Sequence, residues 1–592
     1  MNSNKVKEKS FKILFAFTAA LCIVAVIAIF AFLIIKSVPT FRRIGFFEFI
    51  FGKEWKPNVD DGFTGEIKGK YGVFKMIIGT IVATLGSVIV GGVLGFFTAV
   101  FISEFCPKKL KGAFVTVINL LAGIPSVIFG FFGMVVLLPK LGVFSETGSG
   151  SGLLAVSLVL GLMILPTVVS LSKTSIDAVP DSYYEGARAL GATHEQAVFR
   201  AVVPAAKSGI VASIILGIGR AVGETMAVIM VAGNVVEYPK GLFQSFRVLT
   251  ANIVMEMGYA GDLQLGALIS TGVVLLLFIL IINLLTGLAT SGGKKDKTHM
   301  KRSIEPLAKF FHAIKIEKIG KIVAYVSAVI ASIGLISIIL FVCVNGIPHL
   351  TTQLLFGKYS VRNISIFPAI VTTLMTVGIS LVIAVPIGVF TAIFLNEYSK
   401  KGSKVVRIIR SAIDILAGVP SIVYALFGMV TFVAWFNGRQ SILAGSLTIA
   451  IMLLPTVVRS TEESLKSVSD ALREGSLALG AGKVRTIFKV VLPSALPGIA
   501  SAIILAMGRV VSESAPFVYT MGNCLTTMPK GVMSDGTTLA VALYTLAGEG
   551  QYLNEAYATA FVLLVIVLAL NLPANLITKK LDKKLKGSKN GK

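Results

Sequence analysis

Four charged residues stand within apolar stretches of the sequence, and they form two pairs with the same spacing. Arg220 and Glu224 are four residues apart, and Arg509 and Glu513 repeat this spacing in the second half of the chain. Residues four apart share one face of a helix, and a lone charge at the centre of a bilayer costs about 2.5–3.5 kcal/mol on insertion scales. An Arg–Glu pair removes most of this cost, while the guanidinium presents a donor fork that matches a tetrahedral oxyanion. We therefore predict that both pairs lie on an anion pathway; an ion pair that only fixes helix packing is the alternative.

A Gly-x-Pro-Ser motif interrupts another apolar stretch in each half, at Gly123–Ser126 and at Gly418–Ser421. Glycine and proline break a membrane helix and leave backbone carbonyls that need a partner or a polar cavity. We predict that Ser126 and Ser421 add hydroxyls to the same polar path, and simple kinking for helix packing is the alternative. Asp414, close to the second motif, is predicted to be solvated or to cap a helix at the cytoplasmic interface.

A third pattern follows the fourth apolar stretch of each half. Its members are Glu185, Gly186, Ala187, Gly191 and Pro204 in the first copy, and Glu474, Gly475, Ser476, Gly480 and Pro493 in the second. Asp181 and Asp470 precede the copies as predicted N-caps, and the second glycine of each copy is predicted to end a short helix. A short helix, a glycine turn and a second helix that returns to the membrane form a rigid cytoplasmic knob that a partner can grip. An ordinary helix–turn–helix connector is the alternative.

The composition places these motifs in an integral membrane protein. Of 592 residues, 55% are apolar and 14% charged, with a mean hydropathy of +0.85, whereas a soluble domain carries about 25% charged residues. A bilayer core of about 30 Å takes about 20 helical residues, and twelve apolar runs reach roughly this length. They lie near 11–35, 72–102, 113–138, 152–172, 209–233, 264–288, 321–345, 367–396, 408–436, 441–458, 498–522 and 556–578. We predict an all-α polytopic protein with about twelve transmembrane helices, the first retained and not cleaved as a signal.

The chain consists of two six-span repeats. LAGIPS at 121–126 returns as LAGVPS at 416–421, and the other motifs recur at nearly the same offset. Because six spans is an even number, the two copies are predicted to share one orientation, related by an axis along the membrane normal. The predicted organisation is a first six-span domain at 1–290, a basic cytoplasmic linker at 291–320, and a second six-span domain with a basic cytoplasmic tail at 321–592.

The net charge of +25 does not indicate nucleic-acid binding. The basic residues lie in short segments between apolar runs and at the chain ends, whereas a nucleic-acid binder clusters them on one folded surface. With the N-terminus inside, about 38 of the 55 Lys and Arg residues face the cytoplasm. We therefore predict a multi-pass plasma-membrane protein in contact with the lipid bilayer, with both termini cytoplasmic. The outer segment 37–70 is left open as either a docking element or a gate cover.

The sequence offers no enzyme chemistry. The four Cys and four His residues lack metal-ligand spacing, so neither a metal site nor a catalytic residue is predicted. There is no G-x-x-x-x-G-K-[ST] phosphate loop. We predict that the chain binds no cofactor and that any energy from ATP enters through another polypeptide.

The two knob motifs resemble the EAA loop of importer-type ABC permeases, whose pattern is E-A-A-x-x-x-G-x9-I-x-L-P. Gly186, Gly475 and Ser476 depart from that pattern. The chain as a whole resembles the permeases of the phosphate-specific (Pst) ABC importer. GRAVGETMAV at 219–228 is similar to the PstC-type subunit, and GRVVSESAPFV at 508–518 to the PstA-type subunit. The resemblance implies a fused type I ABC permease, two copies of an ABC ATPase subunit that carry ATP on the cytoplasmic side, an extracytoplasmic phosphate-binding protein, and alternating access gated by ATP.

The predicted function is therefore that of the membrane permease of an ATP-driven importer of inorganic phosphate. In this prediction Arg220 and Arg509 attract the anion, and Glu224 and Glu513 hold the arginines between transfers. An ABC permease for another oxyanion, such as molybdate, sulfate or phosphonate, is the first alternative. A proton-coupled secondary transporter, in which the two glutamates carry protons, is the second, and a non-transporting sensor scaffold is the third.

Overall fold

The computed structural model describes residues 2–57, 69–146, 148–291, 316–360, 363–399, 403–526 and 528–587. Within these residues nine helices are long and apolar enough to cross a membrane, and two bent pairs of shorter helices raise the number to eleven. Two further apolar helices, Ser126–Gly142 and Leu539–Glu549, are shorter than a full span. The predicted all-α, multi-span architecture is confirmed.

The helices of the first half follow the predicted runs with breaks inside several of them. They are Asn2–Ile44, Phe46–Phe51, Phe74–Ser87, Val93–Val100, Lys108–Ala122, Ser126–Phe132, Leu138–Gly142, Leu153–Asp177, Asp181–Ala189, His194–Ala197, Val203–Ala205, Lys207–Gly223, Met226–Val231, Leu249–Glu256 and Asp262–Ser291. Short π-helical turns join several of these, at Val88–Gly92, Phe101–Phe105, Gly133–Leu137 and Val198–Val202.

The second half repeats this order. Its helices are Ile316–Gly346, Thr352–Phe356, Phe367–Ile393, Lys404–Gly418, Ser421–Gly428, Ile442–Lys466, Asp470–Ala478, Lys483–Thr486, Leu492–Ser512, Ala515–Thr520, Leu539–Glu549 and Leu553–Gly587, with a 3₁₀ turn at Ile347–His349. The π-helical turns lie at Phe394–Tyr398, Met429–Val433 and Ile487–Val491. Most of the predicted linker 291–320 and the end of the predicted tail lie outside the described residues.

The third span of each half is divided into two helices. Lys108–Ala122 and Ser126–Phe132 are separated at Pro125, which has φ −57° and ψ 140°. In the second half the axes of Val406–Gly418 and Ser421–Val433 differ by 98°. The predicted kinks in runs 113–138 and 408–436 are therefore complete breaks between two helices. Proline lacks an N–H donor and disfavours helical geometry in the preceding residue.

The described chain forms two compact units. The first-half unit comprises Ile44–Met257 and Val274–Val344, and the second-half unit comprises Met1–Arg43, Gly258–Val273 and Asn345–Lys592. Each unit thus contains the first span of the other sequence half. These units differ in their bounds from the predicted domains 1–290 and 321–592. The predicted domains follow the sequence repeat, whereas the compact units follow which helices pack together.

Ring contacts within each unit hold the exchanged spans. In the second-half unit the rings of Phe15 and Phe390 are 5.3 Å apart. In the first-half unit the ring of Tyr325 lies 4.8 Å from that of Phe101. Aromatic pairs at these centroid distances add to the stabilisation that comes from apolar burial.

A small hairpin of the first-half unit, called the outer hairpin after the predicted outer segment 37–70, begins within that segment and ends just after it. Trp55–Lys56 pairs antiparallel with Lys70–Tyr71, and the Trp55 and Tyr71 rings meet edge to face at 5.5 Å. A hydrogen bond from the Lys70 ammonium lowers the pKa of the Glu54 carboxyl. Burial, and secondly the charge of Glu256, raises the pKa of the Tyr71 hydroxyl.

Candidate functional site

The fifth span of each half is broken at its glutamate. In the first half, helix Lys207–Gly223 ends before Glu224, which is extended (φ −72°, ψ 137°), and a second helix starts at Met226. In the second half, helix Leu492–Ser512 ends before Glu513, which is also extended (φ −81°, ψ 142°). Each glutamate is therefore the residue that ends its helix, so the helix does not continue past it as predicted. In the second half the Glu513 N–H still donates to the Arg509 carbonyl oxygen at 3.1 Å, so this pair keeps the predicted helical spacing.

The polar groups at the break explain why the chain leaves the helix there. The Glu224 Oε1 accepts the backbone N–H of Ala227 at 3.4 Å and so binds the start of the next helix. In the second half the following helix begins with Ala515 and Pro516, and proline is suited to a helix start but not to continuing one. In both halves a glutamate carboxylate thus lies at the point where the helix ends, and the backbone N–H and C=O groups after it are no longer paired within that helix.

Each arginine is held by a threonine from the fourth span of its own half. The Arg220 Nη1 donates to the Thr167 Oγ1 at 3.1 Å, and the Arg509 Nη1 donates to the Thr456 Oγ1 at 3.2 Å. All four side chains are half-buried. The sequence analysis missed both threonines, although the signal was present in the LPTVV motif that recurs at 165–169 and 454–458. The matching geometry in two separate units indicates a feature of the repeat and not an isolated contact.

The second-half arginine also lies near its glutamate. The Arg509 Nε and the Glu513 Oε1 are 3.8 Å apart, and the two side chains are 33% and 20% exposed. A guanidinium has five N–H donors, more than one threonine and one carboxylate occupy. Arg509 can therefore hydrogen-bond to an anion while it keeps both of these partners.

A short apolar helix, which the sequence analysis also missed, supports the break in the first half. The Thr250 Oγ1 in helix Leu249–Glu256 donates to the Glu224 carbonyl oxygen at 2.9 Å. The backbone N–H that starts this helix, at Leu249, donates to the Thr80 Oγ1 at 3.1 Å. The interrupted backbone at Glu224 thus has a hydrogen-bond partner, as a break at membrane depth requires.

The second half starts its corresponding helix in the same way. The Leu539 N–H donates to the Thr373 Oγ1 at 2.9 Å. This helix, Leu539–Glu549, is apolar and shorter than a span. Both halves therefore place a short helix after the broken fifth span.

A buried charged cluster joins the same short helix of the first half to the outer hairpin. The Arg247 Nη1 donates to the Glu256 Oε1 at 2.7 Å, and the Trp55 Nε1 donates to the Glu256 Oε2 at 2.7 Å. The Arg247 and Glu256 side chains are 14% and 7% exposed, so the pair is largely shielded from solvent. The Arg247 Nη1 also donates to the Asn252 Oδ1 at 3.0 Å. These residues were not predicted as functional, and their sequence signal is a charged pair nine residues apart beside an apolar run.

The two predicted serines lie at the break of the third span. Ser126 and Ser421 are the first residues of helices Ser126–Phe132 and Ser421–Gly428, and both are half-buried. In the second half the Tyr424 hydroxyl donates to the Leu416 carbonyl oxygen at 2.7 Å. This carbonyl at the break thus has the partner that was predicted, in the Tyr424 hydroxyl together with the Val419 N–H at 3.2 Å.

Asp414 lies inside helix Lys404–Gly418 and pairs with Arg459 of the fourth span. Its side chain is 57% exposed. Its exposure is in line with the predicted solvated position, and the predicted N-capping role is wrong because Asp414 lies inside the helix and not at its start.

The two knobs have the predicted helix and glycine turn. Helices Asp181–Ala189 and Asp470–Ala478 are followed by Gly191 (φ +84°) and Gly480 (φ +82°), in the left-handed region that favours glycine. The predicted N-cap role of the two aspartates is wrong. Pro180 and Ser469 occupy the cap positions, and the aspartates are the first helical residues, where a negative charge still favours the helix dipole.

The knob surfaces leave room for a partner. Glu185, Gly186, Glu474 and Gly475 are exposed, and a Cβ added at either glycine would meet no atom within 4 Å. Leu190 and Leu479, beside the two glycine turns, are 90% and 91% exposed. The same residue type is thus exposed at the same place in both repeats.

The remaining motif residues lie behind this surface. Ala187 and Ser476 are half-buried, and the Ser476 Oγ lies 2.9 Å from the Thr486 Oγ1. Pro204 lies in Val203–Ala205, and Pro493 is the second residue of Leu492–Ser512, so both mark the return of the chain toward the fifth span.

One known protein family matches both halves of the chain, in agreement with the repeated geometry. The family described as binding-protein-dependent transport system inner membrane component matches residues 91–291 and 384–587. The chain belongs to this family. It is therefore a multi-pass membrane permease of a binding-protein-dependent transport system and not an enzyme, and its two matched segments show that one chain carries two copies of the family domain.

Relatives of this permease carry names from phosphate transport. The phosphate transport system permease protein PstA homolog of Mycoplasma pneumoniae is 28% identical over 85% of this chain and 84% of its own length. The phosphate transport system permease protein PstC of Haemophilus influenzae is 32% identical over 49% of this chain and 95% of its own length. The probable ABC transporter permease protein YqgH of Bacillus subtilis is 38% identical over 45% of this chain and 87% of its own length. The first of these relatives spans both halves of the present chain.

Proposed function

We propose that this permease carries inorganic phosphate into the cytoplasm, with ATP hydrolysed on separate subunits. The observation that carries the proposal is the pair of arginines, Arg220 and Arg509, each fixed by a threonine beside a broken fifth span. A fixed guanidinium binds a phosphate oxyanion through two parallel N–H donors. The names of the relatives support phosphate among the possible oxyanions.

In this proposal the glutamates hold the arginines between transfers, and the second half shows such a pair. Glu513 lies 3.8 Å from Arg509, close enough to neutralise its charge when no anion is present. A phosphate anion that enters replaces part of this interaction, and the carboxylate limits how tightly the anion is held. A transport site must bind its ion well enough to admit it and weakly enough to release it.

The two knobs are the proposed docking sites for two copies of an ABC ATPase subunit. Their exposed Leu190 and Leu479 and the open space at Gly186 and Gly475 fit a close-packed protein contact. The chain itself binds no cofactor in this proposal, and both termini face the cytoplasm with the knobs. Cysteines placed at Gly186 and at Gly475 should crosslink to the copurified ATPase, and absence of crosslinking at both sites contradicts this assignment.

An extracytoplasmic phosphate-binding protein is the proposed partner on the other side of the membrane. Such a partner delivers the anion, and ATP-gated alternating access then moves it inward. The experiment is uptake of labelled phosphate into proteoliposomes that contain the permease, its ATPase and its binding protein. Uptake should require internal ATP and persist without a membrane potential, and uptake that survives ATP removal indicates a proton-coupled transporter.

Competition in the same assay tests the substrate. Unlabelled phosphate should abolish the labelled uptake at concentrations where molybdate, sulfate and methylphosphonate leave it unchanged. Stronger competition by one of these oxyanions identifies that anion as the substrate and overturns the assignment of phosphate.

A further inference from the structure

The return segment of each knob, defined as His194–Ala205 in the first half and Lys483–Val491 in the second, packs against the exchanged first span within its own unit. In the first-half unit two ion pairs join them. The Lys321 Nζ lies 2.9 Å from the Glu195 Oε1, and Arg200 pairs with Glu317. Charges of opposite sign on the two segments thus meet in antiparallel order, which fixes how one segment is aligned along the other.

Close ring packing supports this alignment. The Phe199 ring of the return segment lies on Gly320 of the first span, where an added Cβ would be 2.9 Å from the Phe199 Cζ. The Lys321 Nζ also stands over the Phe105 ring at 5.8 Å. A side chain larger than hydrogen at Gly320 would push the two segments apart, so glycine permits the approach.

The second-half unit makes the corresponding contact with different chemistry. The Glu8 Oε1 of the first span accepts the backbone N–H of Lys483 at 2.8 Å, at the start of the return segment. The rings of Phe11 and Phe488 are 5.3 Å apart, and the Lys483 Nζ stands over the Tyr398 ring at 4.9 Å. A carboxylate at a helix N-terminus is favoured by the helix dipole and by the N–H groups there.

The two return segments differ in how they start. The first has a complete capping box, in which the Thr193 side chain accepts the Gln196 N–H and the Gln196 side chain accepts the Thr193 N–H. The second has Gly482 at the cap position, and glycine has no side chain that could accept a backbone N–H. Glu8, which is 475 residues from Lys483 in the sequence, therefore supplies the missing acceptor from another helix.

We propose that the first span of each half is a positioning arm for the return segment that it contacts. Lys321 and Glu317 hold the first return segment, and Glu8 holds the second. The arm fixes the angle at which each knob meets the ATPase, so that ATPase closure is transmitted to the fifth span. This proposal rests on the proposed ATPase docking to the knobs.

The Lys321 and Glu195 side chains are 40% and 21% exposed, and ion pairs that keep contact with solvent contribute little to overall stability. Reversing one charge should therefore change coupling more than folding. Lys321→Glu and Glu195→Lys are compared with the double variant that exchanges the two charges. The assay measures ATP hydrolysed per phosphate transported in proteoliposomes that contain the complete complex. Each single variant should raise this ratio at least about threefold, and the double variant should return it close to the wild-type value.

Lys318→Glu is the matched control. Lys318 is exposed and lies one helix turn from Lys321, and its substitution changes the charge by the same amount as Lys321→Glu. It should keep the wild-type ratio. Wild-type ratios in both single variants, or an equal loss with Lys318→Glu, overturn the proposal. Absence of ATP-dependent phosphate uptake by the wild-type complex instead overturns the proposed function, so the two failures are distinguishable.

The second arm is tested by Glu8→Ala alone and together with Gly482→Ser. The serine supplies a local N-cap, and Gly482 has the extended geometry of a cap residue (φ −69°, ψ 160°). A positioning arm predicts that both variants remain uncoupled, because the local cap does not restore the contact with the first span. Recovery of coupling in the double variant shows that Glu8 is only a cap and overturns its role as an arm.

Discussion

Replacing Tyr424 with phenylalanine tests whether the break in the third span depends on a side-chain partner. Tyr424 is 1% exposed, and its hydroxyl donates to the Leu416 carbonyl oxygen at 2.7 Å. Phenylalanine keeps the ring, so the substitution removes the hydrogen bond without creating a large cavity. The same carbonyl also accepts the Val419 N–H at 3.2 Å and is not left unpaired. The expected loss is therefore near the ordinary net value of a hydrogen bond, about 1 kcal/mol, and below the ~3 kcal/mol of an unsatisfied buried group.

The assay is reversible unfolding of the purified permease in mixed detergent and SDS micelles, read as the change in the free energy of unfolding. Tyr398→Phe is the matched control, because the Tyr398 hydroxyl is buried and has no hydrogen-bond partner among the described residues. Removing a buried hydroxyl without a partner should be neutral or stabilising. Equal destabilisation by both substitutions, or none by Tyr424→Phe, would refute the reasoning.

Three further predictions concern other parts of the permease. Thr167→Val should lower phosphate uptake about tenfold, since a hydrogen bond to a charged group contributes about 1.5–3 kcal/mol. Thr167→Ser keeps the hydroxyl and should retain most of the uptake. Equal uptake by the two variants would contradict the role of Thr167 in holding Arg220. Gly480→Ala should destabilise the second knob by about 1–2 kcal/mol because its φ is +82°, measured as weaker ATPase copurification than with the wild-type permease. Trp55→Phe removes a 2.7 Å hydrogen bond to the buried Glu256 and should destabilise the outer hairpin by about 1–3 kcal/mol, measured as faster proteolysis between residues 45 and 73.

The sequence alone was sufficient for the features that depend on local chemistry. Hydropathy predicts the membrane helices. The knob motif predicts that a glycine ends each short helix, and Gly191 and Gly480 do have the positive φ of such a turn. The repeat located the paired motifs because it preserves spacing along the chain. These features need no knowledge of which helices pack together.

The rest depends on tertiary packing. The spacing of Arg220 and Glu224 predicts a helix that continues past both residues, but the first helix of the fifth span ends at Gly223, just before Glu224. The partners Thr167 and Thr456 lie 53 residues from their arginines, so periodicity could not connect them. The exchange of first spans between the compact units was likewise inaccessible, because two repeats with the same pattern offer equivalent apolar surfaces to either span.

The most direct measurement of the central claim is phosphate uptake by the Arg220→Gln and Arg509→Gln variants, at matched membrane abundance. Glutamine preserves a polar side chain but removes the fixed positive charge that is proposed to bind the anion. Each variant should lose at least about tenfold of the uptake, in line with the strength of a charge-assisted hydrogen bond, while ATPase copurification stays at the wild-type level. Wild-type uptake by both variants would contradict the role of the two arginines in anion transport.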